Sequence, residues 1–200
     1  MDISCIVLAG GRSSRLGHNK AQVNIGDKSL FQRVLDGISF LEGEIIVVTS
    51  GKEDFSSLSY YPRHRIVTDI YPSRGPLVGI FSGLQVSKSR YNIVVACDMP
   101  VLNQALLSHM IQLAGGFDVV IPRSGDMVEP LHTVCSKSCL VPMERMIKQG
   151  NLSVRELFPV VKVRYIEAEE INRFDPEHLS FFNINTKADL KRAIELGEGR

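Results

Sequence analysis

Short runs rich in isoleucine and valine, separated by segments of helical periodicity, constrain this 200-residue chain more than any other feature. The run Asn92-Ile-Val-Val-Ala96 is almost continuously apolar, as a strand covered on both faces of a parallel sheet must be. Ile3–Leu8 and residues 44–49 have the same character, and residues 65–68 form a shorter version. Between them, Leu30, Phe31, Val34, Leu35, Ile38 and Leu41 recur at helical spacing. Pro76–Val86 suits a helix, with proline tolerated in its first turn. Strands alternating with helices in this way specify an α/β fold, a doubly wound, Rossmann-like and mostly parallel sheet.

The alternation continues with less regularity. Leu106, Leu107, Met110, Ile111 and Leu113 mark another helix. Residues 118–121, 130–135 and 161–166 read as strands, and residues 141–148 as a helix. Beyond about residue 120 some antiparallel additions to the sheet are expected. Thr186-Lys-Ala-Asp189 has the form of a capping box and opens a final helix through Leu190, Ala193 and Ile194. No repeat, low-complexity tract or linker interrupts the chain. Its length fits one domain, large enough to bury a core without a disulfide or metal staple.

Lys and Arg number 23 against 22 Asp and Glu, a formal net charge of +1. Such balance argues against a long nucleic acid as partner. The N-terminal stretch lacks the basic and apolar regions of a signal peptide, and no apolar run reaches the roughly 18 residues of a membrane helix. Cys5 and Cys97 lie in apolar runs, and Cys135 and Cys139 have no second pair to complete a zinc site. A reduced, cytoplasmic protein is the reading that follows. The acidic stretch at residues 167–177 reads as a solvated face.

Open sheets of this kind bind ligands beyond the carboxyl ends of their strands, so the loops after Leu8, Thr49, Thr68 and Ala96 are the places for chemistry. The first carries Gly10, Gly11 and Gly17 among Arg12, Arg15 and Lys20, with Asp2 the sole acid in the first 20 residues. Glycines let backbone N–H groups approach a phosphate closely. The loop is neither a Walker loop, since His18 and Asn19 follow Gly17, nor a G-x-G-x-x-G fingerprint. A tight turn without ligand remains the alternative at this point.

The stretch Leu8-Ala-Gly-Gly-x-Ser-x-Arg15-Leu-Gly17-x-x-Lys20 resembles the signature of the nucleotidyltransferases that use an NTP to cap a phosphorylated acceptor. Three further segments resemble those of one branch, the molybdenum cofactor guanylyltransferases of the MobA family. They are Asp69-x5-Gly75-Pro76-Leu77-x-Gly79, Cys97-Asp98-Met99-Pro100 and Phe182-Asn183-Ile184-Asn185-Thr186. The four occur in the family's order and span nearly the whole chain.

The resemblance implies a nucleotide-diphospho-sugar transferase-like fold in a single domain, 1–200. Its nucleotide-binding half covers about 1–100 and its acceptor-binding half about 101–200. It also implies Mg²⁺-dependent transfer of GMP from GTP to the terminal phosphate of molybdopterin, with pyrophosphate leaving. Leu8 and Ala9 would floor the nucleotide site, Gly10 and Gly11 would offer backbone donors to the triphosphate, and Arg15 and Lys20 would neutralise its charge. Asp98 would hold the metal, since a carboxylate ending a buried strand is costly unless paired or bound to a cation. Asp69 would accept the paired N–H donors of guanine. Thr49 stands where the family usually has Asn. His132, Asn183 and Asn185 fall on the acceptor side.

Each residue keeps a structural alternative: a surface charge for Lys20, a helix cap for Asp98, loop polarity for Asp69 and Thr49, turn or cap roles for the asparagines, and packing for His132. Competing activities are a molybdopterin cytidylyltransferase, another sugar- or polyol-phosphate nucleotidyltransferase, and a non-catalytic nucleotide-binding module. Other cofactor-biosynthesis proteins or a recipient molybdoenzyme are conceivable protein partners.

Overall fold

Alternate residues of the first strand, β1 (Ile3–Leu8), are buried in opposite layers: Ile3, Cys5 and Val7 on one side, Ile6 and Leu8 on the other. This two-sided burial is what its unbroken apolar sequence requires. The structure is a computed structural model that describes residues 2–9, 23–49, 64–69 and 75–198. In chain order the remaining strands are β2 (Asn24–Ile25), β3 (Lys28–Ser29), β4 (Ile45–Thr49), β5 (His64–Thr68), β6 (Tyr91–Ala96), β7 (Val119–Ser124), β8 (Met127–Val128), β9 (His132–Ser136) and β10 (Val163–Ile166). The helices are α1 (Leu30–Gly37), α2 (Pro76–Val86), α3 (Gln104–Gln112), α4 (Leu140–Lys148), the short α5 (Ala168–Ile171) and α6 (Lys187–Glu198).

The main sheet has the order β10-β7-β9-β6-β1-β4-β5, with β8 paired to β7. From β6 to β5 every pairing is parallel. β9 enters antiparallel between β6 and β7, and β10 lies parallel to β7. The mostly parallel, doubly wound α/β sheet with antiparallel strands in the second half is therefore the architecture the sequence led us to expect. Residues of α1 and α3 cover one face, and residues of α2 and α4 the other.

Close approach of α2 to the sheet depends on Gly83. A Cβ there would stand 2.6 Å from Ile6 Cγ2, inside any tolerable contact. Helix α1 ends sooner than its apolar spacing indicates. The Ser39 N–H and hydroxyl both donate to the Asp36 carbonyl, at 3.2 and 2.7 Å, closing the helix after Gly37. Leu41 still packs on the core from the following turn. Its start is fixed by a capping box that the sequence reading passed over. The Gln32 N–H donates to Ser29 Oγ at 3.2 Å, and the Ser29 N–H donates to Gln32 Oε1 at 2.8 Å. The box at α6 matches expectation: the Asp189 N–H donates to Thr186 Oγ1, and the Thr186 N–H to Asp189 Oδ2.

All four cysteines are free and buried. Burial pushes the Cys5 thiol pKa up; for Cys135 the hydrogen bond with Cys139 leads and burial adds to it. No helix among the described residues is long and apolar enough to cross a membrane.

The acidic stretch 167–177 is only in part the solvated face expected of it: Glu169, Arg173 and Glu177 are exposed, but its other acids are engaged. Glu167 takes a bidentate pair from Arg123, and Glu170 is held by His109 and Arg164. Asp175 is buried and accepts from the N–H groups of Leu179 and Ser180, at 3.1 and 2.8 Å. Arg123 of β7 and His109 of α3 lie 44 and 61 positions from their carboxylates, too far along the chain for a local charge pattern to reveal, whereas Arg164 of β10 is only six residues from Glu170. At Glu170 burial works against ionisation, but the His109 hydrogen bond and Arg164 outweigh it and lower the pKa.

Candidate active site

Parallel pairing brings the carboxyl ends of β5, β4, β1 and β6 to one edge in register: Thr68 beside Thr49, Val48 beside Leu8, Leu8 beside Ala96. The pattern continues past the strands. The Ala9 N–H donates to the Val48 carbonyl at 2.8 Å, the Cys97 N–H to Leu8 at 3.0 Å, and the Asp69 N–H to Thr49 at 2.8 Å. Leu8, Ala9, Thr49, Asp69 and Asp98 thus line one edge of the sheet, as the loop argument required. Leu8, Ala9 and Thr49 are buried, whereas Asp69 and Asp98 are only partly so. Gly10, Gly11, Arg15 and Lys20 lie outside the described residues.

Helix α2 fixes the Asp69 carboxylate. Ser82 Oγ lies 3.0 Å from Asp69 Oδ1 and 2.9 Å from the Val78 carbonyl, within donating reach of both. A Cβ on Gly79 would stand 4.0 Å from Asp69 Oδ2 and 3.1 Å from Leu8 Cδ2, so the missing side chain keeps this corner open. Gly75 precedes the helix at φ 96°, a conformation suited to glycine, and Pro76 takes the first helical position. Sequence reasoning missed Ser82, although Gly79 and Ser82 are three apart and therefore share a helix face.

The second half reaches the same edge by long-range tethers. The Ile184 N–H donates to the Asp98 carbonyl at 3.0 Å. This places the Asn183-Ile184-Asn185 segment directly beside the Cys97–Pro100 turn, with Ile184 buried as expected and Asn185 exposed. Asn183 Nδ2 turns back to the Phe181 carbonyl at 3.1 Å.

Asn103 ties the start of α3 to the segment that leads into Asn183 by two hydrogen bonds, and caps α3 with a third. Its N–H donates to Ser180 Oγ at 2.9 Å and its Nδ2 to the Phe174 carbonyl at 2.7 Å. Its Oδ1 accepts from the Leu106 N–H at 2.9 Å, capping α3. Asn103 and Ser180 went unnoticed in the sequence because their partners lie more than 70 positions away.

His132 is fully buried opposite Val95 of β6, its ring edge-on to Phe181 at 5.1 Å. Neither ring nitrogen has a hydrogen-bond partner among the described residues. Burial lowers its pKa to about 4 despite the opposing pull of Asp175. Arg123 is engaged by Glu167 and lies 4.2 Å from the centroid of the Tyr165 ring.

No group of three or more His, Cys, Asp or Glu side chains gathers to hold a metal among the described residues. Asp98, one of two partly exposed carboxylates at the strand ends, fits a hard cation that takes its other oxygens from phosphates and water. It does not fit a zinc cage.

Known proteins share this fold. Residues 5–163 match the family model described as the MobA-like NTP transferase domain. The chain belongs to the MobA-like NTP transferase family. A molybdenum cofactor guanylyltransferase from Desulfosudis oleivorans is 33% identical over 193 residues, covering 96% of this chain and 94% of that protein. A probable molybdenum cofactor guanylyltransferase from Methanosarcina mazei is 38% identical over 200 residues, covering 96% and 89%. The crystal structure of molybdopterin-guanine dinucleotide biosynthesis protein A from Archaeoglobus fulgidus superposes with a TM-score of 0.84 at 31% identity, over the whole of both chains. The chain is accordingly a nucleotidyltransferase, of a kind that generally needs a divalent metal.

Proposed function

We infer that this enzyme transfers GMP from GTP to the terminal phosphate of molybdopterin, releasing pyrophosphate. The observation that carries the reading is the single sheet edge on which Asp69, Asp98 and the Asn183–Asn185 segment meet. An acceptor phosphate oxygen forms the new bond to the α-phosphorus of GTP, while the bond from that phosphorus to the bridging oxygen breaks. Pyrophosphate carries away the electron pair. Both reactants are anionic, so positioning and charge neutralisation dominate the barrier.

Asp69 reads the base. A carboxylate accepts two parallel N–H donors, which guanine presents at N1 and the 2-amino group. Cytosine and adenine present no such pair. Leu8 and Ala9 floor the nucleotide, and Thr49 closes the floor. Lys20 and Arg15 neutralise the triphosphate, and the N–H groups of Gly10 and Gly11 bind it.

Asp98 would hold Mg²⁺, which prefers one or two carboxylates together with phosphate oxygens. Bound there, the ion would supply Lewis-acid polarisation of the α-phosphate. Asn183 and Asn185 orient the acceptor, with His132 supporting that half from below. Residues 1–200 act as one domain, its nucleotide half about 1–100 and its acceptor half about 101–200. We place it in the cytoplasm, where four buried thiols stay reduced, with no nucleic-acid partner. Any hand-over runs to cofactor-biosynthesis proteins or a recipient molybdoenzyme.

The test supplies purified molybdopterin with GTP, CTP or ATP and follows pyrophosphate and dinucleotide product. GTP is expected to give the highest kcat/KM. CTP outrunning GTP would replace this reading with a cytidylyltransferase.

A further inference from the structure

Glu129 follows β8 and opens a turn into β9. Its N–H donates to the Pro122 carbonyl at 3.2 Å, and its own carbonyl accepts from the His132 N–H at 3.0 Å. Pro130 occupies the second position of this four-residue turn, where a fixed φ suits it. Because β9 runs antiparallel to both β6 and β7, the turn stands at the carboxyl ends of those two strands. That is the end that carries Asp98.

The carboxylate is partly buried, yet it makes no hydrogen bond or ion pair among the described residues. Its neighbours in this half differ sharply. Glu167 is held by Arg123, Glu170 by Arg164 and His109, and Asp175 by two backbone N–H groups. A partly desolvated carboxylate with no donor is unfavourable, and desolvation raises its pKa against the pull of Arg155. Such groups occur where a ligand completes the pairing.

We propose that Glu129 is a specificity residue for the acceptor, accepting two N–H donors from the pterin ring. A pterin carries an amide N–H beside an exocyclic amino group, the same two-donor edge that guanine offers to Asp69. The enzyme would then read its two heterocycles with two carboxylates at the same edge of the sheet, Asp69 on the nucleotide side and Glu129 on the acceptor side. This rests on molybdopterin being the acceptor, as inferred above.

The experiment measures KM for molybdopterin and for GTP, together with inhibition by free pterin and by lumazine, which lacks the amino group. In the wild type, pterin should compete with molybdopterin about tenfold or more better than lumazine. In Glu129→Gln, that preference should fall close to unity and the acceptor KM should rise about tenfold, with the GTP KM unchanged. An unchanged preference or an unchanged acceptor KM overturns the proposal. If Glu129→Gln does not fold, Glu129→Asp is measured the same way, and retention of the full pterin preference overturns it. Failure of the wild type to join GMP to molybdopterin sinks the functional reading instead, so the two failures are told apart.

Discussion

The two halves of the chain, to which we assign the nucleotide and the acceptor, meet on one sheet edge but are built differently. From β5 to β6 the strands are all parallel, so each carboxyl end points the same way, toward the edge that carries Asp69 and Asp98. Past β6 the inserted strand β9 runs antiparallel to both β6 and β7, so only some connections emerge on the useful side. There the chain relies on tethers, namely Ile184 to Asp98 and Asn103 to both Phe174 and Ser180. It also relies on buried polar groups, Asp175 and His132. One half is assembled by topology and the other by specific hydrogen bonds, so substitutions should damage them differently.

The largest effect is expected where the halves join. Asp98→Asn should lower GMP transfer on the order of 10²–10³-fold with little change in Tm, read by pyrophosphate release. Unchanged release would remove Asp98 from the chemistry and leave the two halves without a common centre.

The acceptor half should also be the acid-sensitive one. His132 titrates at about 4 when folded against an ordinary 6.5. The unfolded chain therefore binds the extra proton first, and stability falls as pH drops from about 6.5 through 4. The loss approaches roughly 3 kcal/mol. Urea unfolding between pH 7 and 4 measures it, and His132→Leu should flatten that limb of the curve. An equally steep loss in the variant would place the acid sensitivity elsewhere.

On the nucleotide side, Asp69→Ala should cost about 10–100-fold in kcat/KM for GTP and relax discrimination against ATP, leaving the acceptor KM alone. A rise in the acceptor KM instead would show that the halves are not separable. The smallest effect isolates one tether. Asn103→Asp keeps the α3 cap but cannot donate to the Phe174 carbonyl. The acceptor KM should rise severalfold, with the GTP KM constant. A fall in Tm with both KM values unchanged would make Asn103 merely structural.

The same contrast explains what the sequence disclosed. Strand runs such as residues 3–8 and 92–96 are buried on both faces, so their apolar continuity marks them unmistakably, and parallel order then locates Leu8, Thr49, Asp69 and Asp98. The capping box at Thr186 was legible because it is local. Ser82, Asn103 and Ser180 were not, because a serine or asparagine in a loop or helix looks alike whether its partner is water or a residue across the fold. The stretch 167–177 misled in part for the same reason: charge patterning records the acids but not the distant Arg123 and His109 that meet them.

The most direct test of the account is a crystal structure with GTP and Mg²⁺ bound. It should show the metal on Asp98 and the N1 and 2-amino edge of guanine on Asp69, with the α-phosphate turned toward Asn183 and Asn185. A base bound away from Asp69, or a metal with no contact to Asp98, would contradict it.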